Sequence, residues 1–170
     1  MEKQRGVTLI TLTITIVVMM IIAGITVYVG SDLIKEAKLQ DLRTNMLLIQ
    51  AKAKEYVEEV AFQTANMDET ADAEKIATIK SENYKGTPLS GSEAESAATA
   101  TNKINTSKMD EYYYLTESDL TRMGIEQLSP EEYGYFIVRY NLTDIKIEVI
   151  NTEGYQGNYT LEELNSLSGE

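Results

Sequence analysis

Arg5-Gly6-Val7-Thr8-Leu9-Ile10-Thr11-Leu12-Thr13-Ile14-Thr15-Ile16-Val17-Val18-Met19-Met20-Ile21-Ile22-Ala23-Gly24-Ile25-Thr26-Val27-Tyr28-Val29 is the stretch on which the reading of this 170-residue chain turns. From Val7 to Val29 it has 23 residues and no charge. As a helix rising about 1.5 Å per residue it would extend roughly 34 Å, enough to cross a bilayer's hydrocarbon core. Glu2, Lys3 and Arg5 precede it, and Asp32 is the first charge beyond it. The positive-inside bias therefore predicts a cytoplasmic N-terminus, with everything after Val29 exported. A cleaved secretory signal needs a shorter apolar core followed by a small-x-small site, and Ala23-Gly24 is a poor candidate. The expectation is a cytoplasmic leader at 1–6 and a membrane-inserted helix at 7–29.

Outward from that run, residues 30–61 predict an amphipathic helix. Leu39, Leu42, Met46, Ile49, Ala53, Tyr56 and Val60 follow each other at steps of three and four, which places them on one face. Lys38, Asp41, Arg43, Lys52, Lys54, Glu55 and Glu59 fall elsewhere. No proline separates this helix from the apolar run, so the two are expected to continue as one. The same stripe would also suit a dimerising coiled-coil stalk.

Beyond Ala61 the pattern weakens, and residues 62–108 read as a variable connecting region. Thr70–Ser81 suggests a short helix through Ala73, Ile76, Ala77 and Lys80, and Tyr84-Lys85-Gly86-Thr87-Pro88 marks a turn. Ser90–Ser107 offers little to bury beyond Ile104 and some alanines, and reads as a mobile surface loop or linker. Residues 109–170 regain order as a small antiparallel sheet with short helices. Tyr112–Leu115 has strand composition, and Thr116 is the expected N-cap of a short helix closed by Gly124. Phe136, Val138 and Tyr140 alternate with Ile137 and Arg139, and Ile145, Ile147 and Val149 with Lys146 and Glu148. A turn at 141–144 would pair 140 with 145, 138 with 147 and 136 with 149, bringing both apolar sets to one face. Thr160-Leu161-Glu162-Glu163 is a capping box for a last helical turn. The fold class is thus α+β, a long N-terminal helix packed on a small antiparallel sheet.

Composition narrows the chemistry. The chain has no histidine, cysteine or tryptophan, which removes the usual general base, thiol nucleophile, zinc ligands and disulfides together. No catalytic, cofactor-binding or metal site is assigned. Glu131-Glu132 and Glu162-Glu163 read as acids at helix starts, and Asp68-Glu69 with Asp72 lacks calcium-loop spacing. The net charge of −12 lies in the distal part, where residues 62–170 hold 8 Lys+Arg against 20 Asp+Glu. No basic run suited to nucleic acid is evident. Eight of the eleven tyrosines lie between 112 and 159, where they suit either strands or an interface.

Gly6 stands between the basic head and the apolar run, and Arg5-Gly6-Val7-Thr8-Leu9-Ile10 resembles the leader junction of type IV prepilins and pseudopilins, closest in flavour to those of Gram-positive bacteria. The resemblance covers about the first 60 residues in pattern and is specific between Arg5 and Leu12. It implies cleavage after Gly6, with N-methylation of Val7, by a prepilin peptidase. It implies a structural role in a pilus-like or pseudopilus filament, with other pilin or pseudopilin subunits and a membrane platform protein as partners. It also implies passage from the cytoplasmic membrane to the cell surface. Two positions depart from the family pattern: Thr11 replaces the glutamate five residues into the mature chain, and the later helix proline is missing. Where glutamate covers a neighbour's N-terminal amine, Thr11 offers no charge, so the expectation is a minor, tip-proximal subunit. The rival expectation is a single-pass, signal-anchored cell-surface binding protein.

Overall fold

The computed structural model describes the backbone of residues 3–125, 128, 133–143 and 145–167, and the side chains of these residues apart from 3–11 and 21–32. Contacts divide the chain into two compact units, Met1–Gln40 and Asp41–Glu170. A single long helix, α1 (Lys3–Thr64), has its first part in one unit and its last part in the other.

The distal unit is built on a five-stranded antiparallel meander. Its strands are β1 (Thr87–Pro88), β2 (Tyr112–Leu115), β3 (Phe136–Asn141), β4 (Lys146–Tyr155) and β5 (Asn158–Thr160), each hydrogen-bonded to the next in chain order. With the long helix this makes the α+β architecture. Among the described residues its helices include the end of α1, α2 (Ala73–Asn83), α3 (Glu95–Ala100), α4 (Glu117–Arg122) and α5 (Leu161–Ser166), with a 3-10 turn at Thr106–Glu111 leading into β2.

Within this unit the predicted stripe on α1 is the core face. Met46, Ile49, Ala53 and Val60 of that stripe are fully buried and Leu42 nearly so, but Val57, outside the predicted stripe, is fully buried while Tyr56 is only half-buried. The side-chain amide of Gln50 donates to the Ile147 carbonyl at 3.2 Å, tying the helix to β4. On the sheet, Phe136, Val138, Tyr140, Ile147 and Val149 are buried. By strand alternation they share one face.

The hairpin register differs from the sequence expectation by two residues. Tyr140 pairs with Ile147, Val138 with Val149 and Phe136 with Asn151. The loop starts one residue later than expected, because Asn141 pairs with Lys146 as the last rung while its side-chain oxygen accepts from the Thr143 amide at 3.0 Å. Ile145 belongs to the turn, with φ of 47° and substantial exposure, rather than to the strand. A shift of two keeps every side chain on its face, so burial alone cannot tell the two registers apart.

The other face of the sheet is covered too, and this overturns the mobile-loop reading of residues 90–107. Leu89, Ala94, Ala98, Tyr112, Ile137 and Ile150 form a buried cluster, with Ile104, Met109, Tyr114, Tyr135 and Tyr159 packed around it. Ile137 and Ile150 are paired neighbours pointing away from the α1 side. Two isoleucines there require cover, and α3 supplies it. Alanine is the best helix former, and its small side chain lets a short helix sit close.

Local signals at the termini of elements match the sequence expectations. Thr116 caps α4 in a capping box with Asp119, and Thr160 caps α5 in a capping box with Glu163. The turn between β4 and β5 has two residues, Gln156 and Gly157, both at positive φ, as the right-handed twist of a tight hairpin requires. Gly154 stands at φ 61°, where an added Cβ would come within 2.4 Å of the Asn158 carbonyl oxygen. The buried Asn151 organises this irregular stretch: its amide donates to the Tyr133 carbonyl and its oxygen accepts from the Gly154 amide, both at 2.7 Å.

Candidate assembly segment

The site singled out by the sequence lies in the first unit. Gly6 and Val7, the expected processing pair, and Thr11 belong to the helical backbone of α1, but their side chains lie outside the described residues. The described part of the apolar run is Leu12–Met20. All nine of these residues are exposed. Among the large ones, exposure runs from 46% at Ile16 to 69% at Met20. Successive helical residues turn by about 100°, so nine of them present every side of the helix.

A helix apolar on all sides is stable where all sides meet apolar surroundings. Seven large apolar side chains are involved here. Each is worth about 1.5–3 kcal/mol when moved out of water, on the order of 10 kcal/mol together. Among the described residues no helix is long and apolar enough to cross a membrane.

The distal unit contains the remaining candidates. Glu131 and Glu132 lie outside the described residues. Asp68 accepts from the backbone amides of Thr70 and Ala71, and Asp72 pairs with Lys75 at 2.7 Å, so both serve the turn that precedes α2. Glu163 closes its capping box and forms an ion pair with Lys103. Burial works to raise the Glu163 carboxyl, but Lys103, the Tyr159 and Thr160 amides and the Thr160 hydroxyl outweigh it and hold the group down at about 2. Among the described residues no group of carboxylates is arranged to hold a metal ion.

Part of the tyrosine-rich composition builds an aromatic cluster on the α1 side of the sheet. Tyr84 stacks on Tyr140 with centroids 4.2 Å apart, and Tyr113 meets both edge-on. The Tyr140 hydroxyl donates to the Lys85 carbonyl at 2.9 Å, whereas that of Tyr84 is buried without a hydrogen-bond partner among the described residues. Burial pushes the Tyr84 phenol up to about 12, and Tyr140 is raised for the same reason. These rings pack against one another in the core on that side of the sheet.

Arg43 was missed by the sequence reading, which placed it off the core stripe. It is 6% exposed, and its guanidinium donates twice to the carbonyl of Leu164 in the last turn of α5, from Nε at 3.0 Å and from a terminal nitrogen. The Leu164 carbonyl also accepts from the Leu167 amide, so the guanidinium adds a charge-assisted second partner at the negative end of the helix dipole. A lone arginine next to a hydrophobic stripe gives no sequence signal for a partner 121 residues away.

Comparison with known proteins finds no matching family model, no matching curated protein and no matching solved structure. The class defined at this point is a structural one: an α+β chain whose long helix carries an all-round apolar surface in one unit and a one-sided core stripe in the other.

Proposed function

We propose that this chain is a structural subunit of a type IV pilus-like or pseudopilus filament. It is made as a single-pass precursor in the cytoplasmic membrane with its N-terminus in the cytoplasm. A prepilin peptidase cuts between Gly6 and Val7 and methylates the new amine. A platform protein in the membrane then draws the subunit, with other pilin or pseudopilin subunits, into a filament on the cell surface. The observation that carries this reading is the exposure of Leu12–Met20 on every side of α1, in the uncharged run that follows a basic head ending in Arg5-Gly6. Lipid and a bundle of like helices are both apolar on all sides, so one segment serves storage in the membrane and assembly in a filament core. Thr11 cannot neutralise an amine in such a core, which favours a minor, tip-proximal place for this subunit.

Mass spectrometry of the membrane-extracted protein tests the proposal. The expected mature chain begins at Val7 and carries one added methyl group. A chain that begins at residue 1 or 2 in cells with an active prepilin peptidase removes the filament reading and leaves a signal-anchored surface binding protein.

A further inference from the structure

The distal unit has a second apolar feature that its own fold leaves open. Phe62, near the end of α1, is 81% exposed. A cleft of about 600 Å³ opens beside it, walled by Ala61 and Ala65 and, from α2, by Ala73, Ile76 and Ala77. Glu69 and Lys80 are its charged members. Helix α2 has no buried residue, although Ile76 and Ile79 are only half-exposed, so it stands on the unit with an apolar side incompletely covered.

We propose that Phe62 of one copy enters this cleft on a second copy, the two copies exchanging the contact about a two-fold axis. Knob and cleft occupy the same patch: Phe62 is one residue from Ala61 and three from Ala65. A surface that carries both halves of a contact is what an isologous pair requires. The alanine walls leave room for an aromatic ring, and a buried aromatic is the commonest kind of anchor at an interface.

Charge selects the same partner. Residues 62–170 are strongly acidic, so most faces of this unit would repel a second copy. The lining of the cleft differs, because it holds one carboxylate and one ammonium, although Glu58 and Glu59 stand exposed one turn before Phe62. Neither takes part in an ion pair among the described residues. In the proposed pair Lys80 of each copy faces Glu69 of the other across the two-fold axis. The pair closes on itself and does not extend a filament, so this contact is independent of the proposed assembly role and belongs to subunits held side by side.

The chain lacks cysteine, which gives the test a clean background. Full-length Phe62→Cys and Ala77→Cys chains are mixed in detergent micelles and oxidised. The expected product is a disulfide-linked dimer joining positions 62 and 77, absent when Phe62→Cys is mixed with Thr99→Cys, an exposed position on α3. Lys80→Glu should lower the yield roughly tenfold, the scale of losing an opposed charge pair and gaining a repulsive one, and adding Glu69→Lys should restore it. No dimer, an equal yield from both mixtures, or a yield indifferent to the Lys80 and Glu69 changes overturns the proposal.

Discussion

Two stretches of helix α1 carry the same kinds of side chain and meet opposite fates. Leu12–Met20 is exposed on every side, whereas Met46, Ile49, Val57 and Val60 are completely buried within the distal unit. Apolar content is higher in the first stretch, yet the second is the one its own chain covers. The difference lies in periodicity. The later stretch alternates its apolar positions with charges at steps of three and four, so one face finds a sheet and the other finds water. The earlier stretch carries no charge, with Thr13 and Thr15 as its only polar side chains, and none of its nine residues is covered within its own chain.

The sharpest way to break this comparison is to place the same charge in both stretches. Ile49→Asp puts a carboxylate in a fully buried site that an apolar side chain now fills, a loss of about 3–5 kcal/mol, comparable with the whole stability of a small domain. In full-length protein in detergent the distal unit should lose its cooperative thermal transition. Val17→Asp should leave that transition in place while reducing membrane insertion, read as protein in the soluble fraction. If both variants melt alike, the two stretches do not differ in the way described here.

Arg43 tests whether polar chemistry, as well as burial, holds the later stretch. Arg43→Met removes both guanidinium hydrogen bonds to the Leu164 carbonyl, which keeps only the Leu167 amide as donor among the described residues, a destabilisation of about 1–3 kcal/mol by denaturant titration. Arg43→Lys should recover part of this, since it keeps the charge and loses the two-pronged geometry.

Acid probes the far end of the chain. Glu163 has a folded-state value lowered from 4.5 to about 2, so its contribution is complete above its unfolded value and is lost as the pH falls from 4.5 toward 2. Allowing for a side chain still 29% exposed, the amount is on the order of 1 kcal/mol. Comparing midpoint stability at pH 6 and pH 3, Glu163→Gln should flatten that part of the profile and leave the remaining carboxylates to set the slope. The smallest effect belongs to Tyr84→Phe, which removes the unpartnered hydroxyl and keeps the ring stack with Tyr140. Denaturation should show stability unchanged or raised by up to about 1 kcal/mol. A clear loss would mean that the hydroxyl has a partner.

Features written in local sequence were legible. Thr160 announced its capping box because the cap and its reciprocal acid stand three residues apart, and Thr116 announced its N-cap, to which the structure adds Asp119 as the reciprocal acceptor. The α1 stripe was legible because helical spacing is a property of neighbours. What failed to show depends on residues far apart. The register shift at Tyr140–Ile147 preserves the face of every residue, so the alternating pattern fits either pairing, and Ile145 looked like strand although it adopts a turn conformation. The layer around Ala94 and Ala98 was hidden because its burial is dictated by Ile137 and Ile150, and alanines without a facing surface look like linker. At the assembly segment the charge-free length of the run was evident from the start. The cleft beside Phe62 was not, since it exists only once α2 lies against the end of α1.

The outer strands of the meander bear on a hazard faced by any protein concentrated against copies of itself. Open sheet edges invite strand addition, the first step toward aggregates. Here one edge is β1, two residues long and ending in Pro88, whose nitrogen has no hydrogen to offer, and the other is β5, three residues long and continuing at once into α5. Both are too short to template another strand. Crowding of many such units should therefore leave the sheet inert, and measured aggregation on heating should begin only when the meander itself unravels.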